Sequence, residues 1–387
     1  MITPTIGLSG MRIAHLIESD GPGGAERVVA QLATRLQAAG AENVVFLPAH
    51  GEGWLAEQLC GSGVAVEHFH VDRAVSPACA RSLTEAFRRR GITVAHSHEF
   101  SMAVYGAWAA WRAGIPHVIT MHGGRYYAGR LRRRLALRAA VALSGKTVAV
   151  SAPLARALQD DLSIRESAVQ VIPNGVPCQR PERVTLRDEL GLAPNARLIV
   201  SVGNLYPVKG HEHLVDALAR LAERHPSLHV AIAGRGDLEQ PLTARAKGLG
   251  ISHRFHLLGL RQDINAILAA ADMFVLPSLS EGLPLALLEA MFAECPIVAS
   301  DVGEIATALD HGTAGVLVEP GNPAALAEAI DALLSDPKRA ANLGTRAAFR
   351  AVAEYDISQM VRRYATVYEE LVPRRLFGSA RQRQVTA

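Results

Sequence analysis

Apolar runs of roughly four to six residues alternate along this chain with stretches that carry apolar positions at helical spacing. Arg12–Ile17 reads as a strand, Ala25–Ala39 as a helix closed by Gly40, and Asn43–Leu47 as the next strand. Val64–Phe69 is a strand, Pro77–Arg90 a helix before Gly91, and Ile92–His96 a strand. A helix near Met102–Ala113, a strand at His117–Thr120, a basic helix and a strand at Thr147–Val150 follow. The helix Ala152–Asp161 and the strand Val169–Ile172 complete this half. Such alternation predicts a parallel sheet with helices on both faces.

The run Pro173-Asn174-Gly175-Val176-Pro177, with Pro181 beyond it, is the clearest punctuation in the chain and predicts a linker near 176–184. The pattern then restarts. Strands are expected at Leu198–Val202, Leu228–Ala233, Phe255–Leu258, Met273–Leu276, Ile297–Ala299 and Gly315–Val318. Helices are expected at His211–Arg224, Leu238–Lys247 and Ile264–Ala271, with later ones opening at Asn322-Pro323 and Asp336-Pro337. The fold class is therefore α/β, with two Rossmann-like parallel-sheet domains in tandem, and 387 residues suit two domains. The expected divisions are 1–180, 181–355, a final helix over 356–372 and an Arg-rich tail over 373–387 that reads as disordered.

Composition narrows the class without naming a chemistry. The chain is 49% apolar and 20% charged, and no run approaches the ~20 apolar residues that span a bilayer. The first ten residues show neither a basic nor an apolar signal region, and Met11 opens the first convincing strand, so residues 1–10 read as an extension. Cys60, Cys79, Cys178 and Cys295 lack metal or redox spacing, which suits a reducing cytoplasm. Residues 1–180 carry 19 Lys/Arg against 13 Asp/Glu, and the remainder 21 against 24. No acidic residue occurs from Phe100 through Gln159, where Arg125, Arg130, Arg132, Arg133, Arg134 and Arg138 cluster with Leu131 and Leu135. That stretch, 125–138, is either a solvated face or a basic amphipathic segment resting on an anionic membrane surface. Nucleic acid is not expected as a partner, because no recognition motif accompanies the charge.

Candidate chemistry concentrates at strand ends. Ser280-Glu281-Gly282-Leu283-Pro284-Leu285-Ala286-Leu287-Leu288-Glu289-Ala290-Met291 follows a strand. Pro284 suits the first position of a helix, and that helix reads as buried although Glu289 sits on the stripe of Leu285, Leu288 and Phe292. The N–H groups between Glu281 and Glu289 form an anion site, so a ligand with an anionic middle and hydroxyls at both ends fits the stretch. Ser201-Val202-Gly203-Asn204-Leu205-Tyr206-Pro207-Val208-Lys209-Gly210 also leaves a strand, and Lys209 is one of only four lysines against 36 arginines. A compact ammonium there suits a diphosphate. Gly21-Pro22-Gly23-Gly24-Ala25-Glu26-Arg27 opens the first helix and serves either a tight turn or an anion. His122 ends one strand in Thr120-Met121-His122-Gly123-Gly124. His96 and His98 share a strand face at another strand end, so a metal site is conceivable, but no third ligand stands in register and none is expected.

The two glutamates in their Ser-Glu-Gly-Leu-Pro-Leu-Ala-Leu-Leu-Glu-Ala setting resemble the donor-site motif of the retaining glycosyltransferases of family 4. The resemblance covers nearly the whole chain and is most specific over 200–320. It implies the GT-B architecture, two Rossmann-like domains facing a cleft, with the helix Ile357–Leu371 crossing back to the first domain. It further implies that Lys209 holds the donor diphosphate, Glu289 the ribose hydroxyls, and Glu281 the sugar's hydroxyls. The N–H groups at Gly282, Leu283, Pro284 and Leu285 mark where leaving-group charge would be stabilised; Pro284 itself has no N–H to give. His122 would hydrogen-bond the transferred sugar, and Gly23 and Gly24 would lie under the donor phosphate. Where this chain has Asn204 the family often has Arg, so Arg235 or Arg261 is expected to compensate. His98 and Arg125 are the acceptor-side candidates.

The function these readings imply is retaining transfer of a sugar from a nucleoside diphosphate sugar to a glycan, lipid-linked or polysaccharide acceptor. A uridine diphosphate sugar is the first choice and GDP-mannose the next. No Asp-x-Asp pair is present, so no metal cofactor is expected. The expected location is cytoplasmic, on the inner face of a membrane. A nucleotide-sugar epimerase of the same architecture and a non-catalytic partner in a membrane assembly remain the alternatives.

Overall fold

A computed structural model of the chain describes residues 8–71, 76–123, 125, 127–179 and 184–372. The chain divides into two compact units, Met1–Asn174 with Ser358–Ala387, and Gly175–Ile357. The expected linker at 176–184 thus begins just after the division, and residues 180–183 lie outside the described residues, as do residues 1–7 and the tail 373–387.

The first unit is built on seven strands: β1 Arg12–Leu16, β2 Glu42–Pro48, β3 Ala65–Phe69, β4 Val94–His98, β5 His117–Met121, β6 Lys146–Ala149 and β7 Val169–Val171. They form one parallel sheet in the order β3-β2-β1-β4-β5-β6-β7. Leu16, Phe46, Leu83 and Phe87 pack in one buried layer, and Val29, Ala33, Val45 and Leu55 in another. Coverage on both faces explains why these strands read as unbroken apolar runs. The helix Ile357–Leu371 buries Tyr364 and Tyr368 in this unit. Their hydroxyls meet Thr120 Oγ1 at 3.0 Å and His96 Nδ1 at 2.7 Å.

The second unit has six strands: β8 Arg197–Val202, β9 Leu228–Ala233, β10 Phe255–Gly259, β11 Met273–Leu276, β12 Ile297–Ser300 and β13 Val316–Val318. Their order is β10-β9-β8-β11-β12-β13, again all parallel. Each sheet reverses its strand order once, at β1/β4 and at β8/β11. Crevices beyond the carboxyl ends of strands at such reversals are where open α/β sheets hold ligands.

Local chemistry sets many boundaries. Ser76, Ser151, Asn322 and Asp336 each accept a backbone N–H three residues on, with Pro in the first turn of the helix that follows. Three short helices escape a periodicity reading because each is under two turns long: Trp54–Leu59, Leu186–Glu189 and Ile305–Ala308. The stretch around β4 also differs from expectation. The strand runs to His98 rather than ending at His96, and its helix starts at Glu99 instead of near Met102. Polar histidines disguise a fully buried strand end, and Glu99 makes the turn in the left-handed region, at φ 66°. No helix among the described residues is long and apolar enough to cross a membrane.

Candidate active site

In the second unit the loops after β8, β9, β10 and β11 are tied together by backbone contacts. Gly234 N–H donates to Gly259 O and Leu205 N–H to Arg235 O, both at 2.8 Å, and Leu279 N–H donates to Val208 O at 2.8 Å. Glycine makes the approaches possible. A Cβ on Gly234 would lie 1.9 Å from Gly203 O, and one on Gly210 would lie 2.2 Å from Pro277 O. Gly210 also needs its left-handed φ of 62° to link the turn at Pro207–Lys209 to the helix His211–Leu221.

This framework brings Lys209 to Glu281. Nζ lies 2.7 Å from Oε1, with the carboxylate side chain only 8% exposed and the lysine 25%. Ser278 Oγ donates to the same Oε1 at 2.7 Å. Neither the pairing of Lys209 with Glu281 nor the part of Ser278 was legible in the sequence. The Lys209 ammonium is partnered by the Glu281 carboxylate, which also accepts from the Ser278 hydroxyl, so the lysine is a part-exposed cation that can take up additional negative charge. His211 Nε2 sits 3.3 Å from Gly203 O beneath this loop, and burial holds its imidazole down at about 4, so it is neutral near pH 7.

The helix that follows Glu281 runs Leu285–Phe292, with Pro284 preceding it at φ −72°, ψ 132° and no side-chain cap. Pro284 is therefore the cap residue and not the first helical residue, and Glu281 stands in the loop before it. The first N–H groups of such a helix have no intrahelical acceptor. Glu289 is half-buried and shares its stripe with Gly282, Ala286 and Ala293, which are half-buried too, whereas Leu285 and Leu288 pack inward. The helix is not buried all round, because Glu289, Ala286 and Ala293 are only half-buried, although the Oε2 oxygen of Glu289 is itself shielded from solvent. Asn204 is half-buried and Arg235 exposed. Arg261 is held by Asp263 at 2.6 Å and Glu189 at 2.9 Å. Two carboxylates already match its charge, so it is poorly placed to replace a second donor-site cation.

In the first unit Gly23 is extended and Gly24 begins the helix Gly24–Ala38. Glu26 folds back so closely that a Cβ on Gly23 would lie 2.2 Å from its Oε2, whereas Gly24 faces open space. Ser19 Oγ donates to Glu26 Oε1, and burial raises that carboxyl's pKa. Across the strand reversal, His122 takes two anchors: its backbone N–H donates to Glu99 Oε1 at 2.9 Å, and its ring Nε2 lies 3.0 Å from His98 Nδ1. Burial lowers the pKa of His122 to about 4 and pushes that of Glu99 up to about 7. A neutral His122 can donate or accept one hydrogen bond but brings no charge. His98 is fully buried. Arg125 is committed to a two-pronged ion pair with Asp161 at 2.7 Å, a partner just outside the acid-free stretch.

The sequence expectation of no third imidazole beside His96 and His98 is overturned. His15 of β1 is the register partner of His96, and the three side chains place ring nitrogens within 4.8 Å of one another. The signal was out of reach because the partner lies 81 residues away on a neighbouring strand.

Comparison with known proteins matches both halves. The family described as Glycosyltransferase Family 4 matches residues 22–180, and Glycosyl transferases group 1 matches residues 182–349. The chain is 34% identical to a D-inositol 3-phosphate glycosyltransferase of Nocardia farcinica over 57% of its own length, which spans about half (51%) of that protein. An alpha-maltose-1-phosphate synthase of Mycobacterium tuberculosis is 32% identical over 72% of the chain and 79% of that protein. Among solved structures, Anabaena Alr3699/HepE in complex with UDP and glucose superposes with a TM-score of 0.81 at 25% identity, covering 93% of this chain and 100% of that one. The doubled parallel sheets, the glutamate pair about the helix Leu285–Phe292 and these matches together show that the chain belongs to glycosyltransferase family 4.

Proposed function

We propose that the chain transfers a hexose from a nucleoside diphosphate sugar to a hydroxyl of a glycan, lipid-linked or polysaccharide acceptor, with the anomeric configuration retained and without a metal. A uridine diphosphate sugar is the favoured donor, supported by the UDP-glucose complex of the Anabaena relative, and GDP-mannose is the next. The observation that carries the reading is the Lys209–Glu281–Ser278 contact at the β8/β11 reversal. An arriving diphosphate would share Lys209 and release Glu281 toward sugar hydroxyls. Glu289, half-buried on the helix Leu285–Phe292, is assigned to the ribose. Negative charge that develops on the leaving diphosphate would be met by Lys209 and the first N–H groups of the helix Leu285–Phe292. His122 is assigned to a hydroxyl of the transferred sugar, as a neutral hydrogen-bonding group.

The acceptor side rests on a second surface. On the helix Leu131–Leu143, Leu131 and Leu135 are 67% and 57% exposed, and Arg130, Arg132 and Arg138 lie exposed beside them. Leucines interleaved with arginines suit an anionic bilayer surface, where lipid-linked acceptors reside. The Asp161 carboxylate already pairs with Arg125, while Arg134 donates to the Asp161 backbone carbonyl, so the binding charge is at least one smaller than the sequence count. Flotation with anionic liposomes should recover the protein and lose it when Leu131, Leu135, Arg132 and Arg138 are changed to Ser; no flotation at low salt refutes the surface.

The test of the whole is thermal stabilisation by UDP, GDP, ADP and their sugars, for wild type and Glu289→Ala. A shift with one nucleotide, lost in the variant, supports the donor reading; no shift with any refutes it. NMR of the product then reads the anomeric configuration. Turnover abolished by chelator and restored by Mn²⁺ would overturn metal independence, and product formed without acceptor would point to an epimerase.

A further inference from the structure

In the first unit His15 and His96 have no part in the transfer proposed above, and His98 touches it only through His122, at 3.0 Å. His15 on β1 faces His96 across the parallel pairing, and His98 lies two residues on along the same face of β4. Ring centroids are 5.5 Å apart for His15 and His96, 5.8 Å for His15 and His98, and 4.1 Å for His96 and His98. All three side chains are fully buried.

The hydrogen bonds around them settle one tautomer. Asn43 Nδ2 donates to Ala41 O at 3.1 Å, which turns Oδ1 toward His15 Nε2, also at 3.1 Å. An amide oxygen only accepts, so His15 carries its hydrogen on Nε2 and its lone pair on Nδ1. That Nδ1 is buried and has no hydrogen-bond partner, and the same is true of His98 Nε2. His96 has a hydroxyl on each nitrogen, Tyr368 on Nδ1 and Thr120 on Nε2, both at 2.7 Å. Either hydroxyl can hold the ring while the other yields its place, the arrangement by which outer partners orient a ligating imidazole.

We infer that His15, His96 and His98 form a binding site for one imidazole-seeking first-row transition metal ion of the zinc class. The ring nitrogens lie within 4.8 Å of one another, a spread that a modest ring rotation contracts to metal–nitrogen bonds. Three nitrogen donors with no carboxylate among them favour zinc, cobalt or copper over magnesium or calcium. The ion would join β1 to β4 and, through His96 and Tyr368, fasten the helix Ile357–Leu371 to this sheet. The cluster belongs to the first unit and Lys209 with Glu281 to the second, and its test reads metal binding rather than sugar transfer, so the two proposals can fail separately. The competing occupant is a single water bridging His15 Nδ1 and His98 Nε2.

The test uses the full chain, stripped of metal by chelation, with Co²⁺ added both to folded protein and during refolding from denaturant. One equivalent should give the visible absorption of a four-coordinate ion, displaced by one equivalent of Zn²⁺. His15→Asn and His98→Asn should each weaken binding at least tenfold, while His229→Asn, in the stacked pair with His256 of the other unit, leaves it unchanged. No absorption by either route, or absorption that survives in both cluster variants, overturns the site. Should those variants fail to fold, X-ray absorption of the zinc-loaded wild type decides. Three imidazoles at about 2.0 Å support the site, and fewer than three, or water alone at that position in a zinc-soaked crystal, overturns it.

Discussion

Mild acid should strongly destabilise the first unit, because its sheet encloses histidines that must stay neutral. Burial lowers His15 and His122 from 6.5 to about 4, and His117 to about 3. His96 and His98 shift in the same direction. A group whose folded pKa is depressed lends full stability above its unfolded pKa and loses it as pH falls toward the folded value. Between pH 7 and pH 5 the unfolded chain takes up these protons and the folded chain does not. Each of the three valued histidines then costs about 2 kcal/mol at pH 5, or ~6 kcal/mol together. Glu99 acts in the opposite sense: its carboxyl, raised from 4.5 to about 7, is protonated first in the folded state and returns ~2 kcal/mol over the same interval. The net loss is about 4 kcal/mol, a large share of the stability of a domain. The assay is built in, since all three tryptophans, Trp54, Trp108 and Trp111, lie in this unit. Their fluorescence should show a urea midpoint about 2 M lower at pH 5 than at pH 7, for a slope near 2 kcal/mol per M. A midpoint that moves by less than about 0.3 M would refute the argument, because it would mean that the imidazoles already exchange protons with water in the folded state.

Other expectations follow from single contacts. Lys209→Ala should lower kcat/KM by about 100- to 1000-fold through loss of the diphosphate partner, and Lys209→Arg should recover part of it; wild-type turnover in Lys209→Ala would remove the donor assignment. Gly210→Ala should destabilise the second unit by about 2 kcal/mol or more, because its Cβ would collide with Pro277 O in a left-handed backbone; an unchanged melting midpoint would contradict the geometry. Gly24→Ala meets nothing within 4 Å, so the fold should be unaffected and any rise in KM for the donor reports the ligand itself. Tyr368→Phe should cost about 1 kcal/mol by removing the hydroxyl from buried His96, read as a lowered urea midpoint by the same tryptophans.

The chain's local chemistry determined the elements. Strands such as Leu228–Ala233 and Met273–Leu276 occur where the apolar runs predict them, because a strand covered on both faces needs little but apolar residues. Ser76-Pro77 and Asp336-Pro337 open helices for reasons confined to one turn, and the two glutamates around the helix Leu285–Phe292 announced the family from within a dozen residues. Tertiary structure decided which of these groups meet. Lys209 and Glu281 are 72 residues apart in sequence, Arg125 and Asp161 are 36 apart, and His15 comes to His96 only because β1 pairs with β4. It also decided that Glu289 is only half-buried while the histidines of β4 are fully enclosed. The physical reason is range: propensity, capping and periodicity act over a turn or a strand, whereas charge pairing, burial and ligand geometry depend on which strands become neighbours at each sheet's reversal.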